Sequence, residues 1–404
     1  MQTSKGNSKK RARSGLDGPD RLGLRLELLE LKEQALEREM LHLDSGQGAV
    51  VEIGGRKLIN LSSNDYLGLA SHPVMKRAQC QAALNFGAGA GASRLVTGGF
   101  SLHKTAEIEL ADFLGMPAAR LFGCGYMANV GILSALAGKN DAIFSDELNH
   151  ASIVDGCRLS RARVRVFEHN DMDHLGRLLG ESGAKRKIVV VESLFSMDGD
   201  LADLPAIVEK VRKHDAFLLV DEAHALGVLG ANGRGALEYF GIDTSLGDIA
   251  VVGTLGKALG GYGAFVAGPP VFVQYLVNKC RTLIFSTAPP PAIAAAARAG
   301  LLLSTKESWR RKRTLEAAGI LRSCLEGLHL EVKGGPGPIM SVILGTNERA
   351  LQVSKDLLEQ GILARAFRPP TVPAGTSRIR MAATALLDEE LVSRIKDVFN
   401  KVFD

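Results

Sequence analysis

Two short apolar runs in the middle of the chain end in residues that could do chemistry. The run FLLV is followed by Asp221 and His224, and the run IAVV is followed by Thr254 and Lys257. Short apolar runs bounded by charge or glycine are typical of buried strands in a parallel sheet. Ligands of open parallel sheets bind beyond the carboxyl ends of the strands. We therefore expect these four side chains at one edge of a sheet.

The amine of Lys257 and the carboxylate of Asp221 make a specific pair. Most lysines are solvated surface residues, but Lys257 lies in GTLGKALGG, where glycine lets the backbone approach a ligand. A partly desolvated lysine has a lowered pKa and can form an imine with a carbonyl. Asp221 could simply cap a helix; against a pyridine nitrogen, its carboxylate would keep that nitrogen protonated. The pair predicts a pyridoxal phosphate site.

A phosphate cradle is predicted at Gly125 and Tyr126, which open a helix after LFGC. The backbone N–H groups of a first helical turn are unpaired and can hold an anion. The Thr254 hydroxyl is a further donor. The competing segment GAGAGAS, at residues 87–93, lacks GK[ST] and follows a helical pattern. It is weak as a nucleotide motif and suits a flexible loop around a substrate.

Two other predicted strand ends carry His150 and Ser196. The flat ring of His150, which titrates near neutral pH, suits stacking on a cofactor and sharing its protons. A hydrogen-bonded structural histidine is the ordinary alternative. No cysteine or histidine lies at ligand spacing from His150, so no metal site is indicated.

The elements that must position these residues alternate regularly. The strands AIFSD, VRVFEHN, KIVVVES, FLLVDEAH and DIAVVGTLGK are separated by helical stretches, which predicts an α/β fold with a doubly wound, mostly parallel sheet. We predict a basic disordered tail over 1–20 and an N-terminal arm over 21–60. The arm contains an amphipathic helix over 22–43 and a hairpin turning at Gly54 and Gly55. A large cofactor-binding domain over 61–290 and a smaller α+β domain over 291–404 follow.

Composition excludes several classes of function. The net charge of the 404 residues is +5, but residues 1–16 hold five basic side chains and no acid. The rest of the chain is therefore formally neutral, unlike a nucleic-acid-binding protein. No apolar run approaches ~18 residues, so no membrane span is predicted. The five cysteines form no CxxC pair, which favours a reduced cytoplasmic protein. A nuclear or organelle address in the tail is the alternative to a plain solvated extension.

A series of short strings carries a family resemblance. In order, the chain contains SSNDYLGL, GASRLVTG, SMDGD, VDEAHALG, GTLGKALGG, STAPP and RPPTVPAGTSRIR. Over roughly residues 24–400 it resembles the α-oxoamine synthases. The resemblance implies pyridoxal phosphate, the aspartate-aminotransferase-like fold (fold type I) and a homodimer.

The resemblance also implies a role for each cofactor-site residue. Lys257 would hold the cofactor through an imine and later remove the α-proton of the amino acid, and Asp221 would hold the pyridinium nitrogen. The other expected cofactor contacts are His150 stacked on the ring, Ser196 and His224 on its oxygen, Thr254, Gly125 and Tyr126 on the phosphate, and Ser286 or Thr287 reaching the phosphate from the other subunit.

For the substrates, the resemblance implies that Arg368 takes the amino-acid carboxylate with Asn64 nearby. Arg38 and Thr371 would line the acyl path. The string RPPTVP favours the branch that joins L-alanine to a pimeloyl thioester, carried on CoA or on acyl carrier protein. Ser93, where aminolevulinate synthases have threonine, leaves more room for the alanine methyl group. Alternatives are glycine with acetyl-CoA or succinyl-CoA, serine with a long acyl chain, and a non-catalytic subunit, which the presence of Lys257 disfavours.

Overall fold

The computed structural model describes residues 19–403. Apart from residues 19 and 20, the predicted tail lies outside the described residues. The strands of the described part are β1 (Val50–Ile53), β2 (Arg56–Asn60), β3 (Ala118–Phe122), β4 (Ala142–Asp146), β5 (Arg163–Phe167), β6 (Lys187–Glu192), β7 (Phe217–Asp221), β8 (Ile249–Thr254), β9 (Ala264–Gly268), β10 (Val332–Gly334), β11 (Ile339–Gly345), β12 (Ile362–Leu363), β13 (Arg365–Phe367) and β14 (Ser377–Ala382). Its helices are α1 (Leu24–Glu33), α2 (Pro73–Phe86), α3 (Ser101–Leu114), α4 (Gly125–Leu136), α5 (Ala151–Ser160), α6 (Met172–Gly180), α7 (Leu204–Lys213), α8 (Ala236–Tyr239), α9 (Pro270–Lys279), α10 (Arg281–Ile284), α11 (Pro291–Lys306), α12 (Trp309–Gly327), α13 (Asn347–Glu359) and α14 (Glu389–Phe403).

A seven-stranded sheet forms the centre of the larger part, with the strand order β3-β9-β8-β7-β6-β4-β5. The pairs from β8 to β5 are parallel, and β9 runs antiparallel to both of its neighbours. The predicted mostly parallel sheet is therefore confirmed. Strands β3 and β9 were not predicted from the sequence.

Alternate residues of the central strands enter two hydrophobic clusters on opposite faces of the sheet. Val189 and Val191 of β6 join one cluster, whereas Ile188 and Val190 join the other. Strands covered on both faces need apolar residues at every position, which explains their unbroken runs of valine and isoleucine. Helices thus cover both faces, as expected for a doubly wound sheet.

The C-terminal part contains a four-stranded antiparallel sheet in the order β10-β11-β14-β13. Its strands alternate with period two. Ile379 and Met381 of β14 enter the local core, whereas Arg378 and Arg380 point to the opposite face and line a cavity. The small α+β element of the predicted fold is thereby confirmed, while the boundaries at 60/61 and 290/291 stay predictions.

The N-terminal arm is tied to the C-terminal part. The hairpin β1–β2 turns at Gly54 and Gly55, both with positive φ, and β12 adds to β2 in parallel. The helix predicted over 22–43 is shorter than expected, because α1 ends at Glu33. Beyond it, the carbonyl groups of Ala35 and Glu37 accept hydrogen bonds from the guanidinium of Arg368 instead of from helical N–H groups.

Candidate active site

The predicted site residues follow strands that lie side by side in the large sheet. β6, β7 and β8 are parallel neighbours, with Glu192 opposite Asp221 and Asp221 opposite Val252. Ser196 follows β6 and Lys257 follows β8. The carboxyl ends of these strands therefore form one rim, where ligands of such sheets bind.

A cavity of about 1160 Å³ lies at this rim, between the large sheet and the C-terminal sheet. This volume exceeds the usual range of small-molecule sites, about 300–1,000 Å³, so a cofactor and a second ligand can bind in the cavity together. The predicted site residues on its wall are Asn64, His150, Ser196, His224, Lys257 and Thr371. Arg378 and Arg380, which the sequence analysis did not name, are also on the wall.

The amine of Lys257 is desolvated at the centre of this rim. Burial lowers the pKa of Lys257 to about 8, against the opposing attraction of the Asp221 carboxylate and, when it is ionised, of Glu192. A lysine with such a pKa exists partly as the free amine near neutral pH, which is the form that attacks a carbonyl and accepts a proton.

His224 connects Lys257 to Tyr66. The Lys257 Nζ lies 2.6 Å from His224 Nε2, and the Tyr66 hydroxyl lies 2.6 Å from His224 Nδ1. Burial and the charge of Lys257 hold the pKa of His224 well below its usual value, so this imidazole is neutral. An ammonium has no lone pair, so a protonated Lys257 donates to Nε2 and leaves the ring proton on Nδ1.

The carboxylate of Asp221 is held by neighbours on both sides. Its Oδ2 accepts a hydrogen bond from Asn129 Nδ2 at 2.7 Å, and its Oδ1 accepts from the backbone N–H of Ala223 at 2.9 Å. Asn129 also reaches the Ser152 hydroxyl at 3.0 Å, which in turn lies 2.7 Å from His150 Nδ1. Asp221 and His150 therefore belong to one hydrogen-bonded network, and burial lowers the pKa of His150.

A second carboxyl group, Glu192, lies beside Asp221 at the end of β6. It is 3 % exposed, and its Oε1 has no hydrogen-bond partner among the described residues. Burial, aided by the negative charge of Asp221, raises the pKa of Glu192 to about 8. One of the two neighbouring acids therefore keeps its proton at neutral pH, as expected for like charges in a buried place.

Arg380 is the buried cation of the cavity, at 2 % exposure. Its Nη1 donates to Asn64 Oδ1 at 3.0 Å, its Nη2 to the Tyr66 hydroxyl at 3.3 Å, and its Nε to the carbonyl of Ser196 at 2.9 Å. All three acceptors are neutral, and no ion pair joins Arg380 to a carboxylate within residues 19–403. A buried guanidinium without a counter-ion, facing a cavity, is suited to an anionic ligand.

Arg368 and Arg38, the predicted substrate-binding arginines, are not on the cavity wall. The guanidinium of Arg368 donates to the carbonyls of Ala35 and Glu37. The exposed Arg38 donates to the carbonyl of Pro369 at 2.8 Å. In this structure the two arginines hold the N-terminal arm against the segment RPPT, and the guanidinium facing the cavity beside Asn64 is that of Arg380.

The expected phosphate cradle lies at the start of α4. The N-cap of α4 is Cys124, and no side chain caps the helix, so its first N–H groups remain free for an anion. A Cβ atom added at Gly125 would meet nothing within 4 Å, so there is open space beside these groups. The hydroxyl of Tyr126 donates to Asp155. The Thr254 hydroxyl lies 3.2 Å from the carbonyl of Gly263, to which it donates.

Ser286 and Thr287 make local contacts within the described chain. The Ser286 hydroxyl donates to the carbonyl of Thr282 at 2.5 Å, and Thr287 forms an isolated antiparallel bridge with Ser93. Their predicted approach to the phosphate from a second subunit stays a prediction.

This set of groups fits pyridoxal phosphate. A desolvated amine, a hydrogen-bonded buried carboxylate and an uncapped helix N-terminus beside open space are the three partners that its aldehyde, ring nitrogen and phosphate require. All three lie beyond the carboxyl ends of strands in one sheet.

Comparisons with known proteins place the chain in a family. Residues 56–398 match the family model for class I and II aminotransferases. The chain is 45 % identical to the 8-amino-7-oxononanoate synthase of Methylobacillus flagellatus, covering 94 % of this chain and 95 % of that one. It is 47 % identical to the enzyme of the same name from Geobacter sulfurreducens, covering 91 % and 94 %. Among solved structures it resembles a variant of the serine palmitoyltransferase from S. paucimobilis with a bound PLP–myriocin aldimine. That match has a TM-score of 0.89 and 32 % identity, and covers 94 % of this chain and 96 % of that one.

The chain therefore belongs to the class I and II aminotransferase family, with the fold of the pyridoxal phosphate enzymes of fold type I. Within that family it is an α-oxoamine synthase, similar to the 8-amino-7-oxononanoate synthases. The predicted family, fold and cofactor are confirmed. No helix within residues 19–403 is long and apolar enough to span a membrane.

Proposed function

We propose that the chain condenses L-alanine with a pimeloyl thioester, giving 8-amino-7-oxononanoate, carbon dioxide and the free thiol, a step of biotin biosynthesis. The observation that carries the proposal is a desolvated Lys257 amine and a buried Arg380 guanidinium without a carboxylate counter-ion among the described residues, both on the wall of one cavity. The similarity to 8-amino-7-oxononanoate synthases over more than nine-tenths of the chain supports this choice of substrates.

Lys257 is the base of the reaction. When bound, pyridoxal phosphate supplies an electron sink for the bonds that break at the amino-acid α-carbon. The free amine of Lys257 takes the α-proton, since its lowered pKa keeps part of it unprotonated at neutral pH. His224 touches the same amine at 2.6 Å. It orients Lys257, and its own lowered pKa prevents it from competing as a second cation.

Arg380 holds the substrate carboxylate. A guanidinium has five N–H donors; three of those in Arg380 are used by Ser196, Asn64 and Tyr66. One N–H remains on each terminal nitrogen, which suits a bidentate bond to a carboxylate. Arg380 thus takes the role that the sequence analysis assigned to Arg368, with Asn64 beside it as expected.

The remaining predicted contacts complete the site. His150 would stack on the ring of bound pyridoxal phosphate, Ser196 and His224 would bond the ring oxygen, and Asp221 would hold the ring nitrogen. Thr254 and the amides of α4 would hold the phosphate. Thr371, on the cavity wall, and Arg38, which bonds the carbonyl of the wall residue Pro369, would line the path of the acyl chain, which would arrive on CoA or on acyl carrier protein.

The active form is a homodimer in the cytoplasm. Helix α1 buries none of its residues within the chain, and large apolar side chains such as Val96 and Phe285 are 73 % and 71 % exposed. Apolar surfaces of this kind are typical of subunit interfaces. Phe285 precedes Ser286 and Thr287 in the chain. A subunit contact at Phe285 would therefore bring these two hydroxyl groups close to the phosphate bound by the partner subunit. All five cysteines are free, as in a reducing compartment.

A substrate matrix tests the proposal. Purified protein loaded with pyridoxal phosphate is assayed with alanine, glycine or serine against pimeloyl, acetyl, succinyl and palmitoyl thioesters. We expect alanine with pimeloyl thioester to give the highest kcat/KM. Glycine with acetyl- or succinyl-CoA would instead indicate a glycine C-acetyltransferase or a 5-aminolevulinate synthase. Serine with palmitoyl-CoA, the alternative favoured by the structural match at TM-score 0.89, would indicate a serine palmitoyltransferase. A protein without visible cofactor absorbance would be a non-catalytic subunit and would refute the proposal.

A further inference from the structure

His169, just beyond β5, lies between two carboxylates. Its Nδ1 is 3.0 Å from Asp146 Oδ1 at the end of β4, and its Nε2 is 2.8 Å from Asp200 Oδ2. The edge of its ring meets Phe195, with ring centroids 4.4 Å apart and an interplanar angle of 90°. Nothing in the proposed reaction uses this histidine, which is not on the cavity wall.

The two contacts require a cation. An ionised carboxylate only accepts hydrogen bonds, so two carboxylates facing the two ring nitrogens need a proton on each nitrogen. Burial alone would lower the pKa of His169, but the hydrogen bonds and charges of Asp146 and Asp200 outweigh it and raise the pKa to about 10. The nearby Glu147 carboxylate accepts the backbone N–H of His169 at 3.0 Å and adds negative charge on the same side.

The segment that His169 holds is the one that presents Ser196 to the cavity. In residues 195–200, the Phe195 N–H donates to the Asp200 carbonyl and the Gly199 N–H to the Phe195 carbonyl, both at 2.9 Å. Phe195 and Ser196 line the cavity. The side chain of Asp200 therefore anchors one end of a tight loop whose other end carries the cavity residues.

This anchor depends on His169. Asp200 Oδ1 is buried without a hydrogen-bond partner among the described residues, and its Oδ2 is bonded by His169 at 2.8 Å and more weakly by Asn170 at 3.4 Å. Removing the imidazolium would leave a carboxylate whose Oδ1 is buried without a partner and whose Oδ2 keeps one weak donor, and such a group draws water or moves toward solvent.

We propose that His169 is a positioning residue: clamped between Asp146 and Asp200, it holds the Asp200 end of the loop of residues 195–200 and, together with the bonds of Arg380 and Ser341 to the other end, places the Ser196 hydroxyl for contact with the cofactor. The inference rests on the proposed function for the role of Ser196. The clamp itself is a property of the protein without any ligand.

The first test measures the loop in the apoprotein. Hydrogen–deuterium exchange of peptides covering residues 193–202 is compared at pH 7 among wild type, His169→Gln and Asp200→Asn. His42→Gln, at an exposed site, is the control. His169→Gln and Asp200→Asn each remove a hydrogen bond to a charged group. For both variants we expect about tenfold faster exchange in this loop and wild-type exchange in β6 and β7. Unchanged exchange in the loop, or equal acceleration throughout the sheet, would overturn the proposal.

The second test asks whether His169 acts through Ser196. Pyridoxal phosphate is titrated into apoprotein of wild type, His169→Gln, Ser196→Ala and the double variant, with binding followed by absorbance. We expect each single change to weaken binding by about tenfold, and the double variant to be weakened no more than the worse single one. Additive losses would refute action through Ser196. A wild-type protein that binds no pyridoxal phosphate would refute the proposed function, whereas the exchange result would still decide whether the clamp exists.

Discussion

Replacing Arg380 with lysine tests the anchor of the substrate carboxylate. The variant keeps one positive charge in a position that is 2 % exposed but removes the planar fork. Lysine can hold a carboxylate through one point contact, whereas the two free N–H groups of Arg380 offer two parallel hydrogen bonds. The change therefore separates the contribution of geometry from that of charge.

The size of the effect follows from the bonds lost. A hydrogen bond to a charged group contributes about 1.5–3 kcal/mol. The variant loses one such bond to the carboxylate, and its ammonium makes poorer contacts with Asn64 and Tyr66, which Arg380 bonds at 3.0 Å and 3.3 Å. A total of about 1.5–5 kcal/mol corresponds to a fall in kcat/KM for alanine of roughly tenfold to several-thousandfold.

The assay compares two ligands, of which only one carries the carboxylate. Binding of alanine and of alaninamide, which lacks the carboxylate, is followed by the cofactor absorbance of wild type and Arg380→Lys. Wild type should prefer alanine strongly, and the variant should lose most of that preference. Arg365→Lys is the matched control, because Arg365 pairs with Arg380 across β13 and β14 but is exposed. A variant that discriminates between alanine and alaninamide as wild type does would refute the assignment of Arg380.

Three further changes test other parts of the site. Lys257→Ala should abolish the cofactor's imine absorbance and nearly all turnover, and a variant that kept both would disprove the role of Lys257. Gly260→Ala should disturb the turn that follows Lys257, because a Cβ there would lie 2.6 Å from the backbone of Leu69 and Ala70. Cofactor affinity should therefore fall. Gly241→Ala is the control: Gly241 has a similar positive φ, and a Cβ there would meet nothing within 4 Å, so this variant should keep the wild-type cofactor affinity. Glu192→Gln should stabilise the apoprotein at pH 7–8 by about 3–4 kcal/mol in denaturant unfolding. Burial raises the pKa of Glu192 to about 8, so wild type loses stability as pH rises from the unfolded value toward 8; an equal difference at pH 4 would contradict this reasoning.

The parts of the site that follow buried strands were predictable from sequence. The unbroken apolar runs of β4, β6, β7 and β8 stop abruptly at polar residues, and parallel strands bring their carboxyl ends together. His150, Ser196, Asp221 and Lys257 were predicted in this way; the structure places the first two and Lys257 on one cavity wall and Asp221 at the end of β7. A local pattern was enough, because a parallel sheet brings the residues that follow its strands to the same edge.

Contacts made across the fold were not predictable in the same way. Tyr66 reaches His224 over 158 residues, and Asn129 reaches Asp221 over 92. Neither has a local signature, since Tyr66 stands in a loop and Asn129 on an apolar helix. Arg380 does have a local sequence pattern. In SRIRMA, arginine alternates with apolar residues that enter the core, which indicates a strand with a charged face. That this face borders the cavity depends on how the C-terminal sheet packs.

The charges around Lys257 bear on its proposed role as the base of the reaction. Besides burial, the positive charge of Arg380 lowers the pKa of Lys257. A carboxylate bound to Arg380 neutralises that charge, so binding of the amino acid removes one of the effects that weaken Lys257 as a base. In the protein without ligand, the low pKa keeps the amine partly unprotonated, which is the form that would react with the cofactor aldehyde. After the carboxylate is in place, the same amine holds a proton more strongly, as removal of the α-proton requires. In the proposed reaction, Arg380 would thus couple binding of the substrate carboxylate to the basicity of Lys257.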